Sequence, residues 1–303
     1  MTDTDITPAS VPGAAVPAPR KSFRETRRMI RTYSRSFSSM LGLALVTLFL
    51  FVAVFGPWLA PFPEDAYGAV NFDIKLQPPS AEHWFGTDQV GSDILSRVLI
   101  GARTTLQIGL TVTGIAILIG VPLGLIAGMV GGWVAETIMR ITDIFLSIPG
   151  LILAIAIVGA LGPGILNAML ALSLVWWPGY VRLVQAKTLS LRNETYVDAA
   201  RALGAGPFRV LFVHVLPNCL SPIVVKASMD MGMAILGAAS LGFLGLGAQP
   251  PYPEWGAMIS TGRAYLPDWW WCSFFPGIAI YLTVLGFNLL GDGLRDVLDP
   301  RQR

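Results

Sequence analysis

Charge is scarce in this 303-residue chain: Asp, Glu, Lys and Arg make up 13% of it, against 53% apolar residues. A soluble domain carries about 25% charged residues, so composition excludes one, and the mean hydropathy of +0.61 places the chain among polytopic membrane proteins. Cysteine is scarce too. Cys219 and Cys272 fall at the near ends of different apolar segments, expected on opposite membrane faces, which excludes a disulfide and leaves too few ligands for a metal. The only histidines, His83 and His214, lie outside the apolar runs, so an intramembrane hydrolase lacks its base at depth. No Gly-Lys-Ser or Gly-Lys-Thr is present, which excludes a phosphate-binding loop and ATP hydrolysis by this chain.

What is present is a succession of apolar runs. Residues 1–20 are rich in Pro and Ala without periodicity and read as a disordered tail. Lys21, Arg24, Arg27, Arg28, Arg31 and Arg35 follow, interleaved with Phe23, Ile30, Tyr33 and Phe37. That pattern predicts a basic helix lying on anionic lipid, and an apolar span immediately behind it argues against nucleic acid. The tail and basic helix make up 1–38; 39–60 is an uncleaved first transmembrane helix, since a signal peptide has a shorter apolar core. Residues 61–101 carry Glu64, Asp65, Asp73, Glu82, Asp88 and Asp93 against Lys75 and Arg97, which predicts an external loop. Further runs at about 104–129, 138–160, 165–184, 222–246 and 272–290 are each near one bilayer thickness. The expectation is an all-α protein of six spans, with a five-helix core over 102–292, a short cytoplasmic tail over 293–303 and both termini inside. The loop 185–221 then also lies in the cytoplasm.

Within the runs, Gly120, Gly124, Gly128 and Gly132 recur every fourth residue and predict a close helix contact. The Trp176-Trp177-Pro178-Gly179 step predicts a kinked or unwound fourth helix. Trp269, Trp270 and Trp271 predict an interfacial belt. Lys226 and Asp230 stand four apart in the fifth span, where each unpaired charge costs about 2.5–3.5 kcal/mol on insertion scales. Two readings follow: an ion pair within the helix near its cytoplasmic end, or a pair lining a translocation path and meeting charged peptide termini.

The segment from Tyr196 to Pro217 is polar between apolar neighbours, yet keeps helical spacing. Tyr196, Ala199, Ala200 and Leu203 share a face from which Asp198 and Arg201 point away. Gly204, Ala205 and Gly206 break this helix, and Pro207 suits the start of a second one with the stripe Phe208, Leu211, Phe212 and Val215. Spacing alone leaves open a handle for a partner protein or a loop with two frayed helices. Asp198-Ala199-Ala200, Gly204 and His214-Val215-Leu216-Pro217 resemble the EAA loop of binding-protein-dependent ABC importer permeases, with Asp198 for the usual Glu and His214 for the usual Ile. The ending His214 to Asn218 is similar to that of the peptide-importer branch.

The stretch from His83 through Gly86-Thr87-Asp88 and Gly91-Ser92-Asp93 to Arg97 resembles the C-type permease of dipeptide, oligopeptide and nickel importers. There an Arg usually stands at Ser92. Trp177-Pro178-Gly179-Tyr180 and the run from Leu241 to Gly247 extend the resemblance to the C-terminus. It implies a type I ABC importer permease fold in a prokaryotic plasma membrane, moving di- or oligopeptides, or nickel complexes, by alternating access. It also implies a heterodimer with a second permease, an external substrate-binding protein, and two ATP-binding subunits that hold ATP and Mg, since this chain binds no cofactor. Their docking site would be Tyr196, Asp198, Ala199, Ala200, Arg201, Leu203 and Gly204. The rival is an autonomous channel or secondary transporter, which predicts inverted repeats and a relay of acids; the sequence shows no such repeat, and Asp143, Lys226 and Asp230 are thin material for a relay.

Overall fold

The structure, a computed structural model, describes residues 33–298; the tail and the basic run from Lys21 to Arg31 lie outside the described residues. It is built of helices. The first, α1 (Phe37–Leu59), starts at Ser36, whose side chain accepts from the Ser39 amide, and it buries Gly42, Val46, Phe49, Ala53 and Gly56 along one stripe. A long segment leads to α2 (Ile94–Val130), capped by Asp93. Next come α3 (Gly132–Ser147) and α4 (Gly150–Leu161), which meet at an 89° bend, and then α5 (Ile165–Leu191). The short α6 (Thr195–Ala202) precedes α7 (Pro207–Phe243), a single rod that passes through a π-helical turn at Val210–Val215. The short α8 (Trp255–Gly262) and the last helix, α9 (Trp271–Leu298), complete the described residues.

Among the described residues, α1, α2, α7 and α9 are long and apolar enough to cross a membrane, and α3 with α4 make a fifth span if the bent pair counts as one. At 27 residues α5 is long enough, but Arg182, Gln185 and Lys187 fall in its second half and keep it from uniform apolarity. Two helices also overrun the expected spans: α2 begins at Ile94 and α7 at Pro207, so both carry their rods beyond the apolar runs.

The core is tied together by α2. Against α5 it uses its glycines: a Cβ added at Gly120 would lie 2.5 Å from the Trp177 carbonyl oxygen, one at Gly124 2.8 Å from the Val181 carbonyl oxygen, and one at Gly128 2.5 Å from the Thr188 Cβ. The two backbones therefore touch as the stripe predicts. Gly132 does not join them, because it lies past the end of α2 in open space.

Two local expectations are corrected. Helix α5 runs unbroken through Pro178, and the break falls instead at Ile148-Pro149, where Ile148 is extended (φ −98°, ψ 131°) as the residue before a proline prefers. The tryptophan belt is also incomplete. Trp271 is buried and its Nε1 donates to the Thr87 carbonyl at 3.3 Å, so it fastens the segment before α2 to the start of α9, while Trp270 remains exposed.

Candidate functional site

The elbow is anchored at its root by Arg192, whose Nη1 donates to the Gly128 carbonyl at 3.0 Å and bolts the end of α5 to α2. From there α6 buries one side chain, Val197. Around it, Tyr196 is 42% and Leu203 88% exposed, Ala199 is exposed and Ala200 half-buried. The face read from the spacing thus points outward. Asp198 and Arg201 pair with each other at 3.2 Å, and Arg201 Nη1 also reaches the Arg192 carbonyl at 3.3 Å, stiffening the arm. Gly204 ends α6 at φ +82°, a left-handed conformation that favours glycine, and the Ala205 amide donates back to the Ala200 carbonyl at 3.0 Å.

The second arm differs from the expected stripe. Pro207 does start a helix, but the π turn at Val210–Val215 puts residues five apart on one side, so Val210 and Val215 are buried together. Leu211 is half-buried, and Phe208 (76%) and Phe212 (57%) are turned outward. The second arm is no separate helix but the lower end of α7.

In α7, Lys226 and Asp230 form the ion pair, Nζ lying 3.2 and 3.1 Å from the two carboxylate oxygens. The ammonium sits 5.1 Å over the Tyr180 ring of α5, and the Asp230 side chain is only 10% exposed. A second pair joins α3 to α5, Arg182 Nη2 to Asp143 Oδ1 at 2.5 Å, and remains more than half exposed on both sides. Sequence reasoning missed Arg182; its signal was a lone guanidinium just inside the end of an apolar run.

In the segment before α2, Asp93 Oδ2 accepts from the Ser96 amide and hydroxyl at 2.7 Å each, while its Oδ1 lies 3.0 Å from His83 Nδ1. Asp88 Oδ1 accepts from the Val90 and Ser92 amides at 2.9 and 3.0 Å. The two aspartates hold a turn and cap a helix. Ser92 is itself buried, its hydroxyl directed at the Ala69 carbonyl.

Residues 120–303 match the family described as binding-protein-dependent transport system inner membrane component, and residues 25–79 match the N-terminal TM domain of oligopeptide transport permease C. The chain belongs to the first of these families. Similar proteins include a probable D,D-dipeptide transport system permease of Escherichia coli K12, 51% identical over 85% of each chain, and a di/tripeptide transport system permease of Pseudomonas aeruginosa, 44% identical over 97% of this chain and 96% of that one. A glutathione transport system permease of Escherichia coli is 46% identical over 89% of each. Among solved structures, the permease resembles a chain of the MetNI methionine ABC transporter in an inward-facing conformation, with a TM-score of 0.56 over 67% of this chain and 97% of that one; at 21% identity this shows the type I importer fold alone. Fold and family agree with the resemblance read from the EAA-like loop, and the permease is a multi-pass inner-membrane protein.

Proposed function

We propose that the permease forms half of the membrane passage of an ATP-driven, binding-protein-dependent importer of di- or oligopeptides, with both its termini in the cytoplasm. A second permease supplies the other half, an external binding protein delivers the peptide, and two ATP-binding subunits carry ATP and Mg. The substrates named for its relatives support the substrate class: D,D-dipeptides, di/tripeptides and glutathione are all small peptides. Lys226 and Asp230 belong to the wall of the passage, as a closed pair that keeps its charge balanced.

The observation that carries the mechanism is the elbow. Val197, Val210 and Val215 fasten it inward while Tyr196, Leu203, Phe208 and Phe212 are left uncovered outside the spans, as a docking surface for the ATP-binding subunit requires. Closure of the ATP-binding subunits would draw the elbow and α7 as one body and alternate the access of the passage. The test is to purify the tagged permease in mild detergent beside an Asp198→Lys, Gly204→Arg double variant. The wild type should bring an ATPase and a second permease, and the variant should keep the permease and lose the ATPase. A variant that retains its ATPase would overturn the elbow's role.

A further inference from the structure

Helix α3 is the least buried of the longer helices, with Thr142 its one fully buried residue. Its polar residues Glu136, Arg140, Asp143 and Ser147 recur at i, i+4, i+7 and i+11, so they form one narrow stripe, and all four are exposed. Arg182 from α5 closes onto this stripe through Asp143. An exposed charged stripe within a span is costly against lipid. The bend gives an independent reason to place water here. Ser147, Ile148 and Pro149 are exposed and lie at the middle of the third apolar run, and non-helical backbone at membrane depth is tolerated only where protein covers it or water reaches it.

We infer that the stripe Glu136, Arg140, Asp143 and Ser147, together with Arg182, is the water-lined surface along which the peptide passes, and that the Arg182–Asp143 pair opens to take its charged termini. This rests on the peptide-importer reading. The chemistry is an exchange without net charge: the peptide carboxylate replaces Asp143 on the guanidinium, and the peptide ammonium replaces Arg182 on the carboxylate. Three ion pairs lie in this region; Glu136–Arg140, 61% and 75% exposed, is an i,i+4 pair within α3 alone, and exposure decides between the two that remain. Arg182 and Asp143 are 55% and 54% exposed, whereas Lys226 and Asp230 are 29% and 10% exposed and shielded by Tyr180. The open pair can exchange partners, and the closed one stays paired within the wall of the passage.

The test uses the assembled transporter in inside-out vesicles and a charged, membrane-impermeant thiol reagent. Cys219 and Cys272 are both buried, so the wild type sets the blank. Ser147→Cys should react at least about tenfold faster than Leu118→Cys, which is 75% exposed but among apolar neighbours, because the reactive thiolate forms only in water. A saturating dipeptide should slow that reaction. Asp143→Asn should cut uptake of a dipeptide with a free amino terminus about tenfold more than uptake of its N-acetylated form, the worth of one charge-assisted hydrogen bond; Arg182→Gln should discriminate in the same way for the free against the amidated carboxyl terminus. Ser147→Cys no more reactive than Leu118→Cys would mean that lipid or the partner permease covers the stripe, and would overturn the inference. So would an equal loss for every peptide. Should the wild type take up no peptide at all, the importer reading falls and takes the passenger with it, while the labelling still decides whether the stripe faces water.

Discussion

At the scale of residues, the segment between α1 and α2 is governed by buried carboxyls. Burial holds the Asp88 carboxyl above the usual carboxylate range, against Arg97 and the Val90, Ser92 and Gly91 amides that pull it down, and burial likewise raises Asp65 and Glu254. A carboxyl raised in the fold keeps its proton at pH values where the unfolded chain has released it. Its stabilising contribution is therefore full below the ordinary value of 3.8 and is lost as pH rises through the folded value. The thermal midpoint of the purified permease should rise as pH is lowered from 7 toward that range, and Asp88→Asn should flatten part of the slope. Asn is a fair probe because both loop amides donate to a single oxygen, Oδ1, which an amide side chain retains; an unchanged slope would assign the effect to Asp65 and Glu254. Asp88 and Asp93 hold and cap the loop. Their partners Asp65 and His83 were not legible in the sequence, because those contacts depend on how the whole segment folds back.

At the scale of elements, the glycine stripe predicted a close helix contact without naming its partner; the partner is α5, and three of the four glycines meet it. Gly124→Val should destabilise the permease by about 1–3 kcal/mol, the cost of overpacking a close contact, since even a Cβ there would lie 2.8 Å from the Val181 carbonyl oxygen and 2.8 Å from the Val184 Cβ. Gly114→Val, on the same helix with nothing within 4 Å, should leave the detergent melting temperature unchanged. Equal shifts for both variants would mean that helix propensity, not contact, sets the effect. The position of the broken helix was not legible. Trp176-Trp177-Pro178-Gly179 carries the stronger composition signal, yet α5 stays helical through it, with Trp177, Pro178 and Tyr180 buried. Pro149 marks the true break inside a run so apolar that hydropathy passes straight over it. The π turn below α7 was hidden for a similar reason, because a 3.6-residue period cannot reveal a local five-residue one.

At the scale of the whole molecule, family and fold were legible from two short motifs and the spacing of the spans, whereas the number of crossings rests on α5. Trp84 (68% exposed) precedes α2, and Phe208 (76% exposed) starts α7. Between them lie three candidate crossings: α2, the bent pair α3 and α4, and α5. If all three cross, the two residues lie on opposite faces, and the elbow is cytoplasmic when the acidic segment is external. If α5 or the bent pair turns back within the membrane, the count becomes even and they share a face. An impermeant maleimide should therefore label Trp84→Cys from outside intact spheroplasts and Phe208→Cys only in inverted vesicles, with the buried Cys219 and Cys272 as the common background. Labelling of both from one side would remove a crossing and with it the cytoplasmic position of the elbow. The expected result follows from charge as well as count: Lys187, Arg192, Arg201 and Arg209 flank the elbow, opposite in sign to the aspartates and glutamates around Trp84, and basic loops stay on the cytoplasmic side.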